Sequence, residues 1–241
     1  IEKKWTVEEL QQILAKDQVK TILLEGPSKE SQTSPSTNIT IPRLAVKRGV
    51  LQTYQIIELK SRNAERLAID LGFRCYHHLP AELKLKKGDI VRIADSEKST
   101  FSAQALPKNI TQPRSVLFTY QAYLEKVIDG DTIKASMPLG FNLFKTQKMR
   151  LRKINAPEID TKAGLLAKNF VENTLNSCEF FIIKTYSTDI YDRYLVDIFY
   201  LPGCLDPHQV AAEGIYLNQE LIDKGLAQFW QTPDPTELAF L

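Results

Sequence analysis

Apolar residues recur along this chain with two periods, and the elements they predict change character near its middle. Leu10, Ile13 and Leu14 recur at helical spacing behind Thr6, which forms a capping-box pattern with Glu9, so a short amphipathic helix is expected there. Residues 19–25 read as a strand, and 26–38 as a polar loop rich in Ser, Pro and Thr. Residues 39–60 hold one or two strands broken near Arg48 and Gly49. The run 63–71 reads as a short helix stopped by Gly72. Residues 83–93 read as a loop and a strand with Gly88 and Asp89 at the turn, and 101–106 as a further strand.

Residues 107–116 carry two prolines and no apolar period, and are taken as a linker. Beyond it, 117–128, 132–137, 149–154, 180–185 and 194–201 read as strands. Two helices are expected, over 165–175 with Leu166, Phe170 and Val171 on one face, and over 218–225, ending at Gly225. The pattern divides the chain into a small β-rich α+β domain over 1–106, a second domain over 117–232 and a tail over 233–241. The second domain fits an OB-fold-like five-stranded Greek-key barrel with helices covering its ends, so the fold class is mainly β with α.

Composition narrows the classes. At 241 residues, with 43% hydrophobic and 25% charged, the chain can bury one or two cores and is neither fibrous nor disordered. No apolar run approaches the ~20 residues of a membrane span. Cys75, Cys178 and Cys204 are widely spaced and odd in number, which argues against a zinc site or a disulfide framework. Had a targeting segment been removed before Ile1, the protein would be secreted or held in the cell envelope. Net charge is only +2, but residues 1–115 carry 19 Lys and Arg against 13 Asp and Glu, and the remainder 12 against 16. A basic part that grips a polyanion beside an acidic part that holds a cation would have this distribution, and so would two solvated surfaces.

Three segments carry candidate chemistry. Asp129-Gly130-Asp131-Thr132 joins two strands through a tight turn with a carboxylate on each side. A hairpin turn and a site for a hard cation both fit this string. In the run 150–158, alternation places Arg150, Arg152 and Ile154 on one face, and Pro157 ends the strand with Asn155 and Glu158 in the corner beyond it. In the run 188–194, Arg193 stands where a polar turn becomes an apolar strand, and its planar fork suits a phosphate.

Taken in order, VIDGDT, RLRKINAPE, AGLLAKNFVENTL, DIYDRYLVDIFY and LNQELIDKGLAQF resemble the staphylococcal nuclease family, over 117–232 only. The resemblance implies a calcium-dependent nuclease that hydrolyses phosphodiester bonds of DNA or RNA with little sequence preference. It implies that Arg150 and Arg193 meet the scissile phosphate and that Glu158 acts as general base or positions the attacking water. It further implies that Asp131, Asn155 and the main chain of Ala156 supply metal oxygens, and that Tyr191 lies near a nucleotide phosphate. The family usually has Asp-Thr where this chain has Asn155-Ala156, which removes one formal negative charge and should weaken cation binding. The tyrosines that the family packs on the nucleotide near its end are not matched; Phe229 and Trp230 lie nearby and could stack on a base or pack at the barrel edge. The rival implication is a module of the same fold that grips nucleic acid or a protein without cutting.

Residues 1–106 match no motif. Lys84, Lys86, Lys87 and Arg92 form a basic cluster, with Arg43, Lys47 and Arg48 as further candidates and Tyr76, His77 and His78 as a ring-rich patch. Such a set suits single-stranded nucleic acid on an OB-like barrel, a docking surface for a protein partner, or a solvated β-surface. His77-His78 has no third or fourth ligand at motif spacing, so no metal site is expected there.

Overall fold

The path of the chain is set by two β-sheets, in a computed structural model that describes residues 41–61, 64–79, 83–93, 103–105 and 113–230. The expected helix over 6–14, strand over 19–25 and loop over 26–38 lie outside the described residues, as does the tail over 233–241.

The first sheet runs through β1 (Thr53–Ser61), β2 (Ala64–Asp70), β3 (Tyr76–His78), β4 (Ile90–Ile93) and β5 (Ala103–Ala105), in the order β3-β2-β1-β4-β5 with every pair antiparallel. The run 63–71, expected as a helix, is strand β2. It pairs with β1 on one side and β3 on the other, so neighbouring strands take its backbone groups. Helical propensity over so short a run is too weak to compete with two ladders.

The second sheet contains β6 (Thr119–Asp129), β7 (Thr132–Gly140), β8 (Leu143–Leu151), β10 (Phe181–Thr188) and β11 (Tyr194–Tyr200). Its order is β10-β6-β7-β8-β11, and β10 also pairs with β11, which closes a five-stranded barrel. Only β8 and β11 run parallel; the other barrel pairs are antiparallel. Two short pairings complete the strands: β9 (Ile154–Asn155) with β13 (Gln228–Phe229), and β12 (Ile215–Tyr216) with the end of β11. The fold is mostly β with three α-helices among the described residues: α1 (Lys162–Asn176), α2 (Pro207–Glu213) and α3 (Leu217–Asp223).

Helix α1 starts at Thr161, whose Oγ1 accepts from the Gly164 N–H at 2.9 Å. Its buried stripe is Gly164, Ala167, Val171 and Leu175, with Leu166 and Phe170 partly buried beside it. Helix α2 lies in a stretch with no helix expected; Asp206 caps it and Pro207 occupies its first turn.

Of the expected boundary over 107–116, residues 107–112 lie outside the described residues and Pro113–Val116 form a 3-10 turn. Residues 42 onward make one contact unit. The Tyr54 hydroxyl donates to the Leu139 carbonyl at 2.9 Å and the Tyr120 hydroxyl to the Leu71 carbonyl at 2.9 Å. Arg48 donates to the carbonyls of Ala211 and Gly214 at 3.0 and 2.7 Å, with its guanidinium over the Phe199 ring. Beneath the barrel wall, Arg152 and Asp197 form a fully buried bidentate ion pair at 3.1 and 2.9 Å. Both Asp197 oxygens are further satisfied, by the Tyr216 hydroxyl at 2.8 Å and the Tyr186 hydroxyl at 2.7 Å.

Candidate functional site

Strand register brings the candidate residues to one rim of the barrel. Thr132 at the start of β7 is the cross-strand partner of Arg150, and Arg150 is the partner of Leu195 near the start of β11. The turn at Gly130 packs so closely that a Cβ there would stand 2.6 Å from the Ala167 Cβ and 2.7 Å from the Ala156 Cβ. Glycine therefore lets the turn lie against both α1 and the corner after β9.

Asp131 is the hub and is only 3% exposed. Its Oδ1 accepts from Arg150 Nη1 at 2.7 Å and from Thr132 Oγ1 at 3.0 Å; its Oδ2 accepts from the Ala156 main-chain N–H at 3.0 Å. Burial pushes the Asp131 carboxyl above its ordinary range, against the pull of the Ala156 N–H and the Arg150 guanidinium. Arg150 reaches the other way as well, donating from Nη2 to Asn155 Oδ1 at 2.8 Å. Asn155 is itself fixed by pairing with Gln228 on β13.

Arg193 enters from the third segment. Its Nε donates to Asp189 Oδ2 at 2.8 Å, its main-chain N–H donates to Asp189 Oδ1 at 2.9 Å, and its Nη1 lies 3.4 Å from Thr132 Oγ1. Burial raises the Asp189 carboxyl, but the bonds from Arg193 and the Tyr191 N–H outweigh it and hold the group below its ordinary value. Tyr191 is exposed beside this turn, and its ring faces the Arg193 guanidinium at 5.2 Å.

Glu158 lies in the corner between β9 and α1, exposed, with no side-chain hydrogen bond or ion pair among the described residues. Its main chain is fixed: the Glu158 carbonyl accepts from the Thr161 N–H at 3.0 Å and hydroxyl at 2.7 Å, and a Cβ on Gly164 would collide with it. The corner is thus rigid while the carboxylate faces solvent.

Asp131, Arg150, Asn155, Ala156 and Arg193 meet at this rim, Glu158 follows in the next turn, and Tyr191 stands beside Arg193. Arg152 parts from Arg150, because β8 ends at Leu151 and the chain turns at Lys153 with φ 61°. The basic cluster is elsewhere: Lys84 and Lys86 are exposed before β4, Lys87 lies 3.5 Å from Glu58, and Arg92 lies 3.5 Å from His208 on α2, which follows the far end of β11. Thr132 and Asp189, which both meet the Arg193 side chain, carried no role in the sequence reading. The carboxylate four residues before Arg193 was the available signal.

The side-chain oxygens at the rim would give a divalent cation only part of its shell. Calcium takes six to eight oxygens, whereas one carboxylate and one amide oxygen stand here, both engaged by Arg150. Among the described residues no three His, Cys, Asp or Glu cluster as metal ligands. A cation at Asp131 would therefore complete its shell with water and phosphate oxygens. Among the described residues no helix is long and apolar enough to cross a membrane.

Residues 148–239 match the family model described as staphylococcal nuclease homologue. The match covers Arg150, Asn155, Ala156, Glu158, Tyr191 and Arg193 and begins after Asp131. The closed five-stranded barrel with its helices is the OB-like architecture that this match implies. No curated protein matches the chain.

Proposed function

We propose, from the staphylococcal-nuclease-type domain in the C-terminal part of the chain, that this protein hydrolyses nucleic-acid phosphodiester bonds. The observation that carries the reading is the convergence of Arg150 and Arg193 on the adjacent residues Asp131 and Thr132, with a solvent-facing carboxylate at Glu158 in the next rigid turn.

Hydrolysis places growing negative charge on the phosphoryl oxygens, and fixed cations aimed at those oxygens lower the barrier. Arg150 exchanges its carboxylate and amide partners for phosphate oxygens when substrate arrives. Arg193, braced by Asp189, presents its free edge to the same phosphate and to the leaving oxygen. The Glu158 carboxylate takes a proton from the attacking water as the new P–O bond forms, and the leaving oxygen takes one from solvent as the old bond breaks. A divalent cation, calcium by the resemblance, held by Asp131 with Asn155 and the Ala156 carbonyl, would add positive charge beside the phosphate.

One observation favours a second reading, a module that binds without cutting: Asn155 stands where the family carries a carboxylate, and Arg150 is committed to Asp131 and Asn155. Digestion of single- and double-stranded DNA and of RNA, with calcium, magnesium or a chelator, separates the two. The nuclease reading expects cation-dependent cutting that Arg193→Ala lowers by about 10²–10³. Retention of nucleic acid without cutting under any cation would establish the binding module instead.

A further inference from the structure

Beside Tyr194, the first residue of β11, lies a cleft that the catalytic reading does not use. It measures about 180 Å³, and its walls include Asp70, Phe73, Arg74, Tyr76, Phe118 and Tyr194. Three of the barrel's neighbours in this wall come from the turn between β2 and β3, outside the segment that matches the nuclease family.

That turn is built against backbone preference. Gly72, Phe73 and Arg74 are three successive left-handed residues, with φ of 77°, 53° and 60°. The Cys75 N–H donates to the Gly72 carbonyl at 2.8 Å, and the Gly72 N–H to Asp70 Oδ1 at 2.9 Å. The conformation drives the Phe73 ring inward to 4.7 Å from Tyr194 and 5.2 Å from Tyr120, and leaves Arg74 outside, 3.4 Å from Asp192. Arg74 and Tyr194 thus flank the residue pair 192–193 that presents Arg193 at the rim.

The polar groups of the cleft are asymmetric. Asp70 uses one oxygen on the Gly72 N–H, and the other has no hydrogen-bond partner among the described residues. Burial raises its carboxyl above the ordinary range. Tyr76, the cross-strand partner of Asp70, remains 45% exposed, an aromatic face left open at the mouth. Rings stack on bases, a carboxylate accepts from an exocyclic amino group, and an arginine at the rim attracts a phosphate. A cationic ligand would gain from the rings and Asp70 but would be repelled by Arg74, so the set favours a nucleotide.

We infer that this cleft is a subsite for a nucleobase carrying an exocyclic amino group, on a nucleotide neighbouring the phosphate that meets Arg150 and Arg193. The inference rests on the reading of the chain as a protein that acts on nucleic acid. It gives the N-terminal sheet a part in substrate choice, through the β2–β3 turn rather than through the lysines before β4.

Fluorescence anisotropy of the full chain in chelator, with short labelled strands of oligo-dC and oligo-dT, tests it without relying on cutting. The wild type should bind oligo-dC about tenfold more tightly than oligo-dT. Asp70→Asn keeps the acceptor for the Gly72 N–H and should erase that preference. Tyr76→Ala, at an exposed position, should weaken both strands by about tenfold. Binding of both strands that neither Asp70→Asn nor Tyr76→Ala alters would overturn the subsite while leaving the nuclease reading intact. Binding of neither strand would also overturn the subsite, and the digestion with calcium or magnesium then decides the nuclease reading separately. Displacement of the strands by a trimethyl-lysine peptide that Tyr76→Ala abolishes would assign the cleft to a methylated protein tail and overturn it as well.

Discussion

Asn155 carries the most information at the scale of single residues. It keeps an oxygen on Arg150 but contributes no charge, so Arg150 meets one carboxylate, Asp131, among the described residues. Restoring a carboxylate with Asn155→Asp should tighten calcium binding by about tenfold in titration calorimetry. Unchanged affinity would mean that Asn155 does not face the cation. Lys184 makes a separate statement. It is buried, donates to the Leu117 carbonyl at 2.6 Å, and burial lowers it from 10.5 to about 8. From about pH 8 to 10 the unfolded chain keeps a proton there that the folded chain has released, so stability rises with pH across that window. Above it the trend reverses, because burial holds the Tyr120 and Tyr216 hydroxyls protonated in the folded state when the unfolded chain ionises them. Urea midpoints should follow this course, and Lys184→Met should flatten the rise. Arg150, Arg193 and Glu158 could be singled out as candidates from residue type and motif order. The contact of Arg193 with Thr132 could not, because it forms only when the starts of β7 and β11 are brought together across β8.

Among the elements, the corner from β9 into α1 sets where Glu158 stands. The Glu158 carbonyl is held by Thr161, and α1 approaches so closely that only glycine fits at position 164. Gly164→Ala should displace the corner and lower turnover by about 10²-fold, the scale on which misplacement of a catalytic group acts. A structure with the corner in place and turnover intact would contradict that. Strands and helices of the barrel half could be read because their apolar periods are strong and their turns carry Gly, Pro or Asp. Strand β2 was misread because its helix-like composition hides partners on both sides that lie distant in sequence or across a turn. Helix α2 announced itself only through Asp206-Pro207, a cap signal without a long apolar stripe behind it.

For the whole molecule, the first sheet and the strap before it are packed into the barrel rather than tethered to it. Tyr54 and Leu71 bond to barrel partners, the side-chain amide of Gln219 donates to the Pro42 carbonyl at 3.1 Å, and Arg48 braces the carbonyls around α2. We therefore expect a chain starting at residue 117 to lose cooperative unfolding or to aggregate, despite containing every candidate catalytic residue. Calorimetry would contradict this if the fragment melted as sharply and as high as the full chain. The sequence divides at 107–116 because that stretch carries two prolines and no apolar period. Packing is invisible to that criterion, since Leu44, Tyr54 and Phe73 look like core residues of any domain and acquire their barrel partners only in three dimensions.

The most direct measurement is the cleavage rate of labelled single-stranded DNA by the wild type and by Glu158→Gln, side by side with calcium present. The account expects cutting by the wild type and a loss of about 10²–10⁴-fold in the variant, since a general base contributes on that scale and glutamine cannot take the proton. Equal cutting by both would remove Glu158 from the chemistry, and no cutting by the wild type would contradict the nuclease assignment.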